Sequence, residues 1–354
     1  MKKHLLLVLP ALLLLVLALC GCTAPEVTGI EVNAENAKYW YVSGAELDTS
    51  GLVVTATMSD GSTRTVPAEE CELQKPAFAP VGEKEVVVTY QGCEARYPIF
   101  ACTAKSETEQ RTTYAIRTNE NGSAVTLTAY VAHEGAPFVL IFPGGGYAAV
   151  YMQQEGYEYA EEISRLGYNA FILQYSVNMQ HPAPLDDVNT AYEIIRDNRD
   201  FFGVSMENYA VCGSSAGGHL AATWSTKSVG YEHYGKPKPA AVILAYASTH
   251  IGEGSRSNLL GEHPTEELRA SLSADLQADG DYPAVYGWVF VEDELVCQQT
   301  RQMEAALEAQ GVKHLYRYFT GGAHGLGLAK GTEAEGWMEE AVGLWQDAAN
   351  LAGG

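Results

Sequence analysis

The chain has 354 residues, 47% of them hydrophobic, and a formal net charge of −22. That length exceeds one ordinary domain and accommodates two, each with its own core. So large an acid excess repels nucleic acid and anionic lipid and excludes both as partners, while saying nothing about the fold.

The N-terminus reads as a targeting segment. Lys2 and Lys3 precede an apolar run over 5–20, interrupted by Pro10. The run is short for a bilayer span and has the length of a signal-peptide core. It closes on Leu19-Cys20-Gly21-Cys22, which resembles a bacterial lipobox. The resemblance implies a signal peptide over 1–21, a lipid on Cys22, and an exported protein held at the membrane or cell surface of a bacterium. An ordinary secretory signal cleaved nearby, or an uncleaved anchor, are the alternatives.

Residues 22–104 form a first module that reads as all-β. Short runs over 27–34, 52–59, 63–66, 85–90 and 95–101 alternate in part and are separated by turn signals such as Ser59-Asp60-Gly61 and Gln91-Gly92. Short strands at this spacing predict a sandwich. The stretches Ser50-Gly51-Leu52-Val53-Val54-Thr55-Ala56, Ser59-Asp60-Gly61-Ser62 and the run 81–90 resemble bacterial Ig-like modules, which implies a spacer or adhesion role. Cysteines 71, 93, 102, 212 and 297 follow Cys22, an odd number that leaves a thiol unpaired in an exported chain. Cys71, Cys93 and Cys102 allow one disulfide among three pairings, and Cys212 reads as a buried apolar residue. Residues 105–113 are polar, lack a large apolar side chain, and read as a linker.

From 114 to 354 the pattern changes. Strand-like runs over 138–142, 169–175, 209–212, 240–246, 284–291 and 314–319 alternate with helix-length segments over 152–166, 185–200, 216–226, 297–310 and 333–349. This predicts an α/β fold: a mostly parallel sheet with helices on both faces and catalytic groups beyond the carboxyl ends of the strands. The irregular stretch 247–282 reads as a lid or rim.

The motif Gly213-Ser214-Ser215-Ala216-Gly217 lies between a strand-like run and a helix-compatible stretch. That is the setting of a nucleophile elbow, a tight turn that holds the central serine above the sheet. Serine needs a base, and the base needs an orienting acid. The expected chain order of serine, acid, histidine selects His324 in Thr320-Gly321-Gly322-Ala323-His324-Gly325. The acid comes from Glu292-Asp293-Glu294; Asp293, three residues before Val296, is selected, with Glu292 as the alternative. Phe142-Pro143-Gly144-Gly145-Gly146-Tyr147 follows a strand and supplies the oxyanion hole through the N–H groups of Gly145 and Gly146, joined by that of Ala216. Neither a P-loop nor a dinucleotide fingerprint fits the triple glycine.

Together with His181-Pro182-Ala183-Pro184-Leu185-Asp186-Asp187-Val188, these stretches make residues 114–350 similar to the esterase/lipase branch of the α/β-hydrolase superfamily, near bacterial acetyl esterases and xylan-deacetylating enzymes. The resemblance implies a serine esterase with the triad Ser215, Asp293 and His324, acting on an acylated carbohydrate or small ester and needing no cofactor or metal. Pro143 stands where many relatives have a histidine, and Cys297 where proline is common. His219 is expected to point into the fold, Asp186 and Asp187 to cap a helix, and Tyr147 and Tyr151 to line the mouth. A serine peptidase on the same fold and a non-catalytic surface adhesin are the competing readings.

Overall fold

The computed structural model describes residues 24–252 and 257–351; the apolar leader and Cys22 lie outside the described residues. The first module is built from β1 (Val27–Asn33), β2 (Trp40–Val42), β3 (Val53–Met58), β4 (Thr63–Val66), β5 (Glu72–Gln74), β6 (Gly82–Tyr90) and β7 (Cys93–Glu107). β3 pairs antiparallel with β1 and β4. β6 pairs antiparallel with β5 and β7, while β2 runs parallel to β7. Period-two side-chain alternation sends Val86, Val88 and Tyr90 of β6 inward. They meet Val54, Ala56 and Val66 of the other sheet in one apolar core, as a sandwich requires. The brief β2 and β5 are too short to show alternation in the sequence.

The described cysteines are free. Cys71 leads into β5 and Cys93 opens β7, with β6 between them. Two strand spacings put such residues about 9.5 Å apart, beyond the roughly 7 Å that a disulfide can span. Cys102 is buried further along β7.

The linker expected over 105–113 is instead a hairpin. β7 continues to Glu107, turns with the Thr108 N–H donating to Arg111 O at 2.8 Å, and pairs with β8 (Thr112–Thr118). The polarity of this segment reflects two exposed strand ends rather than missing structure.

The second module adds β9 (Ala124–Tyr130), β10 (Phe138–Phe142), β11 (Asn169–Gln174), β12 (Ala210–Ser214), β13 (Ala241–Ala245), β14 (Ala284–Phe290) and β15 (His314–Phe319). Their spatial order is β15-β14-β13-β12-β10-β11-β9-β8, parallel from β11 to β15, with β9 antiparallel to both β11 and β8. The sequence reading missed β8 and β9. The helices are α1 (Glu158–Arg165), α2 (Ala183–Asp197), α3 (Arg199–Phe202), α4 (Ser215–Trp224), α5 (Ser257–Leu260), α6 (Glu266–Ser271), α7 (Ala274–Gln277), α8 (Cys297–Gln310) and α9 (Trp337–Ala349). α1 and α9 pack on one face of the sheet with Val139, Ile141 and Ile243. α2, α4 and the Met303 and Leu307 side of α8 pack on the other face with Leu140, Val211 and Leu244. β10 and β13 are therefore buried along their whole length.

After β10 the chain moves outward to β11, then returns across β10 to β12. The carboxyl ends of β10 and β12 flank this reversal, and a crevice opens where the two connections part. The glycine loop 143–147 leaves one end and Ser215 leaves the other.

The first module is docked against α2. Asp197 Oδ2 accepts the Trp40 N–H at 3.1 Å, and the Trp40 indole donates to Glu193 at 3.2 Å. The buried Asn198 accepts from Val42 N–H at 3.3 Å and donates to Trp40 O at 3.0 Å.

Candidate active site

Ser215 follows β12 directly and opens α4. Its φ of 51° lies in the left-handed region, a strained position for a side-chain-bearing residue. The flanking glycines are steric necessities. A Cβ on Gly213 would lie 2.2 Å from Gly217 O, and one on Gly217 would lie 1.9 Å from Phe142 O. The turn presents Ser215, which is partly exposed, while Ser214 is buried and hydrogen-bonded to the Tyr159 hydroxyl at 2.9 Å.

The structure brings Ser215, His324 and Asp293 together. His324 Nε2 lies 2.9 Å from Ser215 Oγ, and its Nδ1 lies 2.7 Å from Asp293 Oδ2. Nδ1 is thus the donor toward the carboxylate, which leaves Nε2 to accept the serine proton. Asp293 is 4% exposed and its other oxygen accepts from Leu295 N–H at 3.1 Å. The alternative acid, Glu292, turns away and accepts from Gly321 N–H at 3.2 Å. It braces the histidine loop from outside the relay.

The loop 142–147, expected to supply the oxyanion hole, is held in an unusual backbone path. Gly145, Gly146 and Tyr147 have φ values of 138°, 64° and 59°. A Cβ on Gly145 would lie 2.1 Å from Ala149 O. The bonds that fix the loop use the Gly144 N–H and the carbonyls of Gly144, Gly145 and Tyr147. The N–H groups of Gly145 and Gly146 stand outside that set.

A buried carboxylate beneath this loop escaped the sequence reading. Glu155 is 2% exposed, in a single π-helical turn over Met152–Tyr157. Its Oε2 accepts the Gly144 N–H at 2.6 Å and its Oε1 accepts from the Tyr246 hydroxyl at 2.8 Å. Burial pushes its carboxyl above the ordinary value; the hydrogen bonds from Tyr246 and Gly144 and the nearby His324 oppose that rise. Met152-Gln153-Gln154-Glu155 reads as a solvated helix start, and the π turn that rotates Glu155 inward has no sequence signature.

His219 points into the fold as expected: Nδ1 lies 2.7 Å from the Tyr147 hydroxyl and Nε2 2.8 Å from Leu272 O. Tyr147 is therefore buried rather than at the mouth, whereas Tyr151 is 59% exposed. Asp186 and Asp187 do not cap α2. Asp186 accepts from the Tyr234 hydroxyl at 2.8 Å. Asp187 is buried, accepts from Ser176 N–H at 2.7 Å and pairs with Arg117. Because α2 begins beside Pro182, both aspartates fall inside its first turns, past the capping position.

Comparison with known proteins bears out the resemblances stated for both modules. Residues 127–270 match a family model described as BD-FAE, and residues 34–99 match the bacterial Ig-like domain, group 3. Endo-1,4-beta-xylanase B of Butyrivibrio fibrisolvens is 29% identical over 215 residues, which cover 56% of this chain and 34% of that protein. The acetylxylan esterase of Xylanibacter ruminicola is 25% identical over 131 residues, 37% of this chain and 27% of that protein. This chain thus spans about a third or less of the length of these curated relatives. Among solved structures, the acetyl ester-xyloside bifunctional hydrolase from Caldicellulosiruptor lactoaceticus superposes with a TM-score of 0.59 at 26% identity, covering 67% of this chain and 96% of that one.

Proposed function

We propose that this chain, an α/β-hydrolase of the esterase kind preceded by a bacterial Ig-like domain, is a serine carboxylic-ester hydrolase that removes acetyl or other short acyl groups from xylan-type carbohydrate. The observation that carries the reading is the hydrogen-bonded relay Ser215–His324–Asp293 on a strained elbow, beside a glycine loop with free-standing N–H groups.

In the forward half-reaction His324 Nε2 takes the Ser215 proton as Oγ bonds to the ester carbonyl carbon. Asp293 steadies the imidazolium that forms. The N–H groups of Gly145, Gly146 and Ala216 receive the oxyanion, Ala216 lying in the first turn of α4 where the helix dipole also favours negative charge. The tetrahedral intermediate collapses, the carbon–alkoxide bond breaks, and His324 returns its proton to the departing sugar oxygen. Water then attacks the acyl-enzyme under the same base and releases the carboxylic acid and free Ser215. The partial exposure of Ser215 and His324 admits both the ester and this water.

The names of the relatives from Xylanibacter ruminicola and Caldicellulosiruptor lactoaceticus support an acetylated xylose-based substrate. The lipobox-like Leu19-Cys20-Gly21-Cys22 supports export and lipid anchoring at Cys22. The test of the reaction is Ser215→Ala assayed on an aryl acetate and on acetylated xylan: both activities should vanish, and a variant that retains wild-type rate would sink the reading. For the anchor, Cys22→Ser should move the protein from the membrane fraction to the soluble one in a lipoprotein-processing host. Unchanged partitioning argues against lipidation.

A further inference from the structure

The described residues hold three buried carboxylates outside ordinary surface positions: Asp293 in the relay, Asp187 paired with Arg117, and Glu155. Glu155 accepts only neutral donors, the Gly144 N–H and the Tyr246 hydroxyl. A buried carboxylate with no ion-pair partner among the described residues is costly, and it persists where its geometry serves something else.

Three loops hang on this group. The first is the oxyanion loop. A Cβ on Gly144 would lie 2.6 Å from Glu155 Oε2, 2.9 Å from Ser214 O and 3.0 Å from Ser215 Cβ, so only glycine lets the carboxylate hold the loop this near the nucleophile. The second is the histidine loop. Gly327 N–H donates to the Tyr246 hydroxyl at 3.0 Å, and the Tyr246 ring stands edge-on to the His324 ring at 5.1 Å. The third is the elbow. The Tyr159 hydroxyl lies 3.3 Å from that of Tyr246 and 2.9 Å from Ser214 Oγ. Tyr246 itself has a φ of 36°, a strained conformation its surroundings must impose.

We infer that Glu155, acting through Gly144 and Tyr246, is a positioning residue that locks the oxyanion loop and the His324 loop in register with Ser215. The inference rests on the serine-hydrolase reading above. Glu155 touches no reacting atom. By fixing the Gly144 peptide it sets where the next two N–H groups point, and by orienting the Tyr246 hydroxyl it sets the height of the ring against which His324 rests. Oxyanion donors act only when they are aimed in advance at the charge that develops in the transition state. A loose strut should therefore lower turnover and leave ground-state binding of substrate intact.

The experiment compares the full chain with Glu155→Gln and Tyr246→Phe on p-nitrophenyl acetate, with active sites counted by a fluorophosphonate. Glu155→Gln keeps an acceptor for Gly144 but presents an amide N–H₂ to the Tyr246 hydroxyl. Its kcat per titrated site should fall roughly ten- to a hundredfold, less than the loss of an oxyanion donor itself, with KM within about a factor of two. Tyr246→Phe keeps the ring against His324 and removes the hydroxyl, so its kcat per site should fall in the same direction. A purely structural carboxylate would lower the number of titratable sites but not the turnover of each. Wild-type kcat per site in both variants, whatever the yield of folded protein, overturns the inference, and wild-type kcat in Tyr246→Phe alone overturns the link to the histidine loop. Failure of the parent reading is separate: it shows as a wild-type protein that takes up no fluorophosphonate at Ser215.

Discussion

Asp293 and Glu292 are adjacent in sequence yet take different partners in the histidine loop: the first bonds His324 Nδ1 at 2.7 Å, the second the Gly321 N–H at 3.2 Å. Both lie in the turn after β14, and only Asp293 reaches the His324 ring, so one carboxylate enters the relay. Asp293→Asn should reduce kcat/KM by roughly 10³–10⁴, because an amide offers His324 the wrong tautomer. Glu292→Gln keeps an acceptor for Gly321 and should stay near wild-type activity. Steady-state kinetics on an aryl acetate checks both, and equal losses would remove the distinction between the two acids.

The glycines of the site divide by what a methyl group would strike. Gly217→Ala drives a carbon to within 1.9 Å of Phe142 O, with no flexible side chain to yield, so the variant should lose activity and melt well below the parent. Gly146→Ala meets nothing within 4 Å, but its φ of 64° is left-handed. The expected loss there is about 1–2 kcal/mol of stability, with an intact fold. Thermal denaturation and turnover of the two variants together test this split.

The two modules should unfold as one unit because Asn198 is shared between them. Asn198→Ala leaves the Val42 N–H and the Trp40 carbonyl without their partner in a buried seam. Each such orphan costs about 1–3 kcal/mol. Calorimetry should show the first module separating as an earlier transition. A single transition at the parent temperature would mean that Asn198 contributes nothing to the coupling, which the other seam bonds of Asp197 and Glu193 then carry.

Glu155 should make stability depend on pH in a defined direction. Its folded-state pKa is raised above the ordinary 4.5, chiefly by burial. A raised value means that the group's contribution is fully present below that ordinary value and is lost as pH rises through the folded one. Glu155→Gln does not titrate. Its melting temperature relative to the parent should climb from pH 4 upward through the acid range and then level off. A flat difference over that range would show that the Glu155 titration is not linked to folding.

Much of the candidate site was legible along the chain. Gly-x-Ser-x-Gly, the triple glycine and the late His-Gly each report a local backbone demand, and such demands are written in contiguous residues: Ser215, Gly145, Gly146 and His324 could be named without coordinates. The alternation of apolar runs with helix-length segments likewise announced a mostly parallel sheet. Strands β8 and β9 escaped because a short turn joins them with no helix between, so the alternation of strands with helices does not reach them. The segment 105–113 looks like a linker because the polar ends of a hairpin and a flexible linker have the same composition.

Sequence alone singled out Ser215, His324, the glycine loop and a mostly parallel sheet, since each follows from neighbours in the chain and from the few conformations those neighbours permit. Tertiary structure alone decided which of two adjacent acids bonds His324, that Asn198 joins the modules, and that Glu155 lies beneath the glycine loop with Tyr246 between it and the histidine. Those choices depend on which atoms distant segments bring within about 3 Å of one another, and hydrogen-bond partners far apart in the chain leave no periodicity behind.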